Sequence, residues 1–540
     1  MGFIDDTVGQ LSTKSVAVFV AASCTIYLVL VGVERRRRRS RLGARPPKAK
    51  YYLPFGIDFV INGILENRRN RNLQNWVSQF GRIGAWTAEA NIAGHEIILT
   101  AEPDNIKAVL STQFADYGKG ADFHADFRDF LGDSIFATDG ELWHSSRQLV
   151  RPQFIKDRVS DLHCFEDHTQ ALFKAIANGG PLDGGGQVVD LEEGNGRKVD
   201  ISDLFYRLAL DVSTDFLFGH SVDSMFKPNE PFAEAFDEVQ RVQGLIARAK
   251  GITWIIPRTT FWPGLKTIDS FVNQYIDRAL ALGPDELASK TKSDKGYTFL
   301  HAAAGFTRDR KVLRDQIVAL LLAGRDTTAS TLSFAVHELA RHPEVVAKLR
   351  REILATVGPD TPPTYRDLKN MAYLKAVVNE TLRLYPVVPF NVRVALRDTT
   401  LPRGGGPDGS QPVGVLKNTS VAYSTLVMQR RPDIYPPVSE TFADPALFSP
   451  ERWEHWHPKG HEYVPFNAGP RICVGQQFAL TEMAYVICRM FQKYERVESF
   501  VGPEKKKGFG GEDEDLSLKT DLTLKPGERV VVAFWEAKRE

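Results

Sequence analysis

Between Phe466 and Gly475 the chain reads FNAGPRICVG, with two glycines and an arginine set around one cysteine. Gly469 and Gly475 permit tight turning and let a flat ligand come close to the backbone. Cys473 stands where the next helix begins, and unpaired amides there can hydrogen-bond a thiolate and lower its pKa. Arg471 supplies a cation for a carboxylate on such a ligand. A cysteine alone says little, since buried core cysteines are common. Cys488, inside the following helix and without such neighbours, reads as that ordinary case. The spacing FxxGxRxCxG sets Cys473 apart.

Four other groups could share that chemistry. Glu380 and Arg383 are three residues apart, on one face of a helix, and Pro450-Glu451-Arg452-Trp453 offers a second arginine. Ala323-Gly324-Arg325-Asp326-Thr327-Thr328 places hydroxyls and a carboxylate able to hold and relay protons on a long helix, with Gly324 thinning that helix. Trp143-His-Ser-Ser-Arg147 and Arg393 add an aromatic ring and two cations. His455, His457 and His461 (HxHxxxH) lack a supporting cysteine and any pattern that would aim three imidazoles together, so they read as surface or packing residues.

These motifs, in this order, resemble the cytochrome P450 family, and the resemblance covers essentially the whole chain. It implies that Cys473 is the axial thiolate of a haem b, pushing electron density onto the iron and favouring O–O cleavage. It further implies that Phe466, Gly469, Arg471 and Gly475 form the haem loop. Trp143, Arg147 and Arg393 would meet the propionates. Glu380, Arg383 and Arg452 would form a structural network behind the haem. Asp326 and Thr327 would control proton delivery to O2. Some relatives carry a glutamate esterified to the haem just before the helix glycine; this chain has Ala323 there, which implies non-covalent haem. The texture of LPFGID, LPRGGGPDG and the cysteine loop is similar to fungal microsomal alkane and fatty-acid hydroxylases.

The elements that must position these residues read mainly α with small β-sheets, which the resemblance narrows to the cytochrome P450 fold with one N-terminal transmembrane helix. The longest periodic segment runs from about Arg308 to His342 and stops before Pro343. At roughly 50 Å it can cross a large domain. A second helix spans about Leu368 to Tyr385, and another follows Gly475. Short β-like runs fill the region up to Ala101. LPRGGGPDG reads as turns, followed by a long loop through Pro450. DLTLKPGERVVVAF reads as a terminal hairpin turning at Pro-Gly, and the Gly- and Asp-rich residues 178–198 read as a surface insertion.

Residues 15–33 carry no charge and reach roughly 28 Å as a helix, close to a hydrocarbon core. Five arginines follow at Arg35–Arg39, so the positive-inside rule puts the C-terminal side in the cytosol. A cleaved signal peptide would carry its basic charge before the apolar run. The resulting division is a lumenal segment 1–14, a signal anchor 15–33, a basic Pro-containing linker 34–54, and a catalytic body 55–540 on the cytosolic face of the endoplasmic reticulum.

The net charge is only +1, so no global field draws the chain to nucleic acid. Its four cysteines form no CxxC pair and suggest no structural zinc site or disulfide framework. No GxGxxG fingerprint follows a strand, so NADPH electrons would come through a separate reductase. The substrate would be lipophilic, with the terminal carbon of an n-alkane or fatty acid leading. Another lipophilic compound, or non-oxygenase isomerase or dehydratase chemistry, stands as the alternative. Expected lining segments are the loop before Trp143, Gln316–Thr327, Val387–Val392 and the region Leu516–Leu522.

Overall fold

The computed structural model describes residues 13–92, 95–154, 162–184, 194–249, 253–289, 298–500, 506–507, 513–514 and 516–537. The expected lumenal segment lies almost wholly outside these residues, as does the centre of the 178–198 insertion.

The long helix runs Arg310–Arg341, started by the Asp309 carboxylate, which accepts from the amides of Lys311 and Val312. Pro343 begins the next helix and prevents continuation. This long helix is buried on nearly all sides, which explains why it is apolar around its circumference. Its two halves enter different cores. Leu313, Ile317 and Leu321 pack into one cluster with Phe130, Phe236 and Phe261. Leu332, Val336 and Leu339 pack into another with Phe205, Leu382 and Met490. The polar stretch Gly324–Thr328 falls between the two, where no apolar packing claims it.

Helices Ile201–Phe218, Phe261–Ala281, Ala372–Leu384 and Gln476–Lys493 pack against this axis. A five-stranded sheet lies to one side in the order Thr87–Ile92, His95–Thr100, Ser420–Ser424, Phe390–Ala395 and Tyr117–Gly118. All its pairings are antiparallel except His95–Thr100 with Ser420–Ser424. Ile98 faces Val421 and Val392 faces Ala422, so apolar residues stack across the sheet centre.

Several expectations are corrected. The region before Ala101 holds the expected strands, but also helices Ile57–Arg68 and Asn72–Ile83. The glycine triplet 404–406 closes a hairpin in which Thr399–Gly405 pairs with Gln411–Val415, and Ser420–Ser424 is a sheet strand in what read as loop. The terminal strands flank Pro526-Gly527 without pairing with each other. Leu524–Pro526 pairs with Leu518–Thr520, whereas Val531–Glu536 lies between Tyr494–Ser499 and Lys198–Asp200. Long-range partners outcompete the local turn there.

The N-terminal helix spans Thr13–Leu42. Its stretch from Ala17 is long and apolar enough to cross a membrane and is not covered by protein. The helix does not stop at the arginines. Arg38 meets Asp398 at 2.6 Å, Arg45 lies 3.3 Å from Glu89, and Arg39 is buried between Glu89 and Glu96. The basic segment is therefore docked on the sheet edge, where the sequence suggested a spacer.

Candidate active site

The cysteine loop is shaped by backbone contacts. The Cys473 amide donates to the Phe466 carbonyl at 2.9 Å and the Ile472 amide to Gly469 at 3.0 Å. Gly469 has φ +64°, and a Cβ there would lie 2.0 Å from the Leu110 carbonyl oxygen. Only glycine fits. Gly475 differs from expectation: its φ is −88° and a Cβ would meet nothing nearer than the Phe154 ring at 3.7 Å. Its backbone geometry does not demand glycine.

Cys473 is accessible, and it lines a large internal cavity. Burial raises its thiol pKa above the ordinary value, and this outweighs the lowering by the Gly475 amide and the Arg147 charge. The sequence expectation was the opposite. The helix-start amides act in the expected direction, but desolvation is the larger effect. A cation bound at the sulfur is what would hold it as thiolate.

Cations gather around the same cavity. Lys119, Arg147, Arg393 and Arg471 all line it, as does Trp143. Arg147 donates to the Ile472 carbonyl at 3.2 Å, tying helix Gly140–Val150 to the cysteine loop. Arg471 donates to the Thr138 carbonyl and to Asp139, its guanidinium 4.6 Å from the centre of the Trp143 ring, while its Nε is buried with no partner. Arg393 is held by Asn391 Oδ1 and the Val392 carbonyl. Asp139 also accepts from the amides of Lys119 and Gly120, so its charge is shared several ways. Burial and the repulsion of Arg393 push Arg471 down to about 10, and burial with Arg393 and Arg471 pushes Lys119 well below its ordinary value. A pocket wall with one accessible sulfur, a tryptophan and crowded cations fits a flat metal-centred ligand with two carboxylates. A haem fits; Cys473 would hold its iron, and these cations its propionates. Lys119 escaped sequence reasoning, because a lysine in a short Lys-Gly turn carries no distinguishing signal.

Glu380 and Arg383 form a wholly buried bidentate pair at 2.7 and 2.8 Å. Arg452 reaches Glu380 Oε1 at 3.3 Å, and the Trp453 indole N–H and the Ser449 amide also donate to this carboxylate. The remaining guanidinium hydrogens go to carbonyls, including Pro445, Ala443 and Asp444. Although burial raises the Glu380 pKa, the two arginines bring it below the ordinary value. The sequence motifs are brought together as expected.

On the long helix, Gly324, Thr327 and Thr328 line the cavity. A Cβ on Gly324 would lie 2.6 Å from Ser213 Oγ. Its missing side chain therefore leaves room both for the Ser213 side chain and at the cavity wall. Thr327 Oγ1 donates to the Ala323 carbonyl at 2.6 Å. Asp326 is buried and is not among the cavity-lining residues. Arg325 donates to it at 3.3 Å and also to Asp237, and burial raises the Asp326 pKa despite Arg325. Thr328 donates to Glu482 at 3.4 Å. Glu482 is buried with its Oε1 unpartnered, and burial pushes its pKa up to about 8. No motif flagged Glu482, because a glutamate inside a helix reads as surface until its burial is known.

The cavity measures about 1040 Å³. Ile135, Phe136, Leu320, Val387–Val392 and Thr520–Thr523 line it, so each of the four expected segments contributes. Gln316 is buried and donates to Ser146 Oγ at 2.9 Å, holding helix Gly140–Val150 instead. Leu516 sits in the core. Phe59, Trp76, Phe123 and Phe127, on helices whose role was unread, complete the wall.

Residues 54–511 match the family model "Cytochrome P450". Cytochrome P450 monooxygenase pvhE of Talaromyces variabilis is 54% identical, over 96% of this chain and 94% of that protein. Cytochrome P450 52A3-B of Candida maltosa is 42% identical over 90% and 92%. Cytochrome P450 52A13 of Debaryomyces hansenii is 38% identical over 91% and 94%. The crystal structure of cytochrome P450DA heme domain superposes with a TM-score of 0.71 at 20% identity, covering 92% of this chain and 99% of that one. That likeness concerns the fold, and the sequence matches carry the family. The chain belongs to the cytochrome P450 family and is a monooxygenase of it.

Proposed function

We propose that this chain hydroxylates a C–H bond of a lipophilic substrate bearing an alkyl chain, with the terminal carbon of an n-alkane or fatty acid as the leading target. O2 is the co-substrate, and two electrons come from NADPH through a separate membrane-bound reductase. The haem supplies the oxygen-activating chemistry when bound, and Ala323 leaves no carboxylate to esterify it. Cys473 would hold the haem iron, and Trp143, Arg147, Arg393, Arg471 and Lys119 would receive the propionates. Thr327 presents a hydroxyl to the reacting face, and Asp326 behind it passes protons inward from the Arg325–Asp237 side. The N-terminal helix anchors the protein in the endoplasmic reticulum with the body cytosolic.

The observation that carries the substrate reading is the wall itself. Apolar side chains dominate, joined by a polar group of Asn67, Arg68, Asn72 and Asn75 from two N-terminal helices. Such a wall suits a chain with one polar end and favours a fatty acid over an alkane.

Turnover with reductase, NADPH and a panel of alkanes, fatty acids and aromatic compounds tests this. Terminal alcohols from the linear substrates are expected. Oxygen-dependent product from aromatic compounds alone would overturn the alkyl-chain reading, and none from any substrate would overturn the oxygenase role. Thr327→Ala is expected to divert reducing equivalents to peroxide or water, and unchanged coupling would remove Thr327 from proton delivery.

A further inference from the structure

Cys164 and His168 stand one turn apart on helix His163–Asn178, so their side chains leave one face. Asp215 reaches that face from helix Ile201–Phe218. His168 Nε2 lies 3.2 Å from Asp215 Oδ2, and one potential ligand atom from each of the three residues lies within 4.8 Å of the others. All three are half-buried. Burial raises the Asp215 pKa, but hydrogen bonds with His168 and Cys164 hold it below the ordinary carboxylate range, and the His220 charge adds to this. A sulfur, an imidazole nitrogen and a carboxylate oxygen thus converge on one point reachable from solvent.

We propose that Cys164, His168 and Asp215 form a binding site for a divalent transition-metal ion of the zinc class. Tetrahedral coordination at about 2.0–2.3 Å sets ligand atoms roughly 3.3–3.8 Å apart. The His168–Asp215 separation of 3.2 Å is already close to that spacing. Thiolate with imidazole selects against magnesium and calcium, which require oxygen cages. Water completes the fourth position. Binding displaces the thiol proton to solvent, so affinity rises with pH.

The site also has mechanical reach. The same helix presents Glu166 to Arg489 at 2.9 Å and to Tyr485, and packs Phe165 against Phe478, all on the helix that follows Cys473. Asp215 belongs to the helix packed along the central axis. A bound ion clamps these two helices together without touching the haem loop. The cysteine count missed this because Asp215 is distant in sequence and Cys-x3-His on one helix is a frequent accident.

The test uses untagged holoenzyme dialysed against micromolar Zn2+, with zinc measured per haem, for the wild type and a Cys164→Ala/His168→Gln variant. Both samples must show the red-shifted carbon-monoxide band of thiolate-ligated haem, which certifies folding and keeps Cys473 engaged. An extra equivalent of zinc in the wild type, with a zinc-dependent rise in Tm absent from the variant, is expected. Equal zinc in both proteins, or none in either, overturns the site. Should the double variant not fold, Asp215→Asn is measured in its place and the same outcomes decide.

Discussion

Two groups of cations are withdrawn from solvent, wholly or in part, and the protein treats them differently. Arg383 and Arg452 share the Glu380 carboxylate and spend their remaining hydrogens on backbone carbonyls. Glu380 stays ionised in full burial because two positive charges face it. Lys119, Arg393 and Arg471 crowd together with Asp139 spread over two amides and one guanidinium. Burial and mutual repulsion depress Lys119 and Arg471. The first group is complete within the chain and acts as scaffold. The second has one shared carboxylate for its cations, and in the proposed reading it would receive a dianion.

Removing the scaffold's carboxylate is expected to have the largest effect. Glu380→Gln leaves two buried guanidinium groups without their anion, at a cost of about 3–5 kcal/mol. The urea midpoint of the apoprotein should fall steeply, and haem content with it. A near-normal midpoint would mean that the carbonyls alone satisfy the arginines.

Lys119→Met probes the receptor and should behave in the opposite sense. Loss of a repelled cation leaves the apoprotein as stable or more so. Loss of one charge-assisted hydrogen bond to a propionate weakens haem retention by about 1.5–3 kcal/mol, or about 10- to 150-fold. Transfer of haem to an acceptor globin measures this. If Glu380→Gln and Lys119→Met shift apoprotein stability equally, the distinction between scaffold and receptor fails.

A smaller effect sharpens the same contrast with a carboxyl that has no cation beside it. Glu482 is raised to about 8, against an ordinary value near 4.5. Between those values the folded state holds a proton that the unfolded state has released, so stability falls as pH rises through that window and levels off above it. Glu482→Gln should flatten this slope, by on the order of a few kcal/mol across the window. Parallel pH–stability curves for the two proteins would show that Glu482 is ionised in the fold.

The motifs carrying this contrast were partly legible in the sequence. Glu380, Arg383 and Arg452 sit at fixed short spacings on a helix and in a turn, so local pattern reveals them. Cys473 was legible through its glycines and Arg471. Lys119 and Glu482 were not, because their significance comes from burial and from neighbours hundreds of residues away. Gly324 was recognised, but the close approach of Ser213 was not, because that belongs to helix packing. The same limit governed the fold. Helices with strong periodicity were placed within a few residues, whereas the Pro526-Gly527 turn suggested a hairpin that distant strand partners override.

The most direct measurement of the central claim is the reduced carbon-monoxide difference spectrum of the wild type and Cys473→Ser. The wild type should give the red-shifted Soret band of thiolate-ligated haem, and the variant should lose it while the cation wall still recruits some haem. A variant that retains the red-shifted band would contradict the assignment of Cys473 as the ligand.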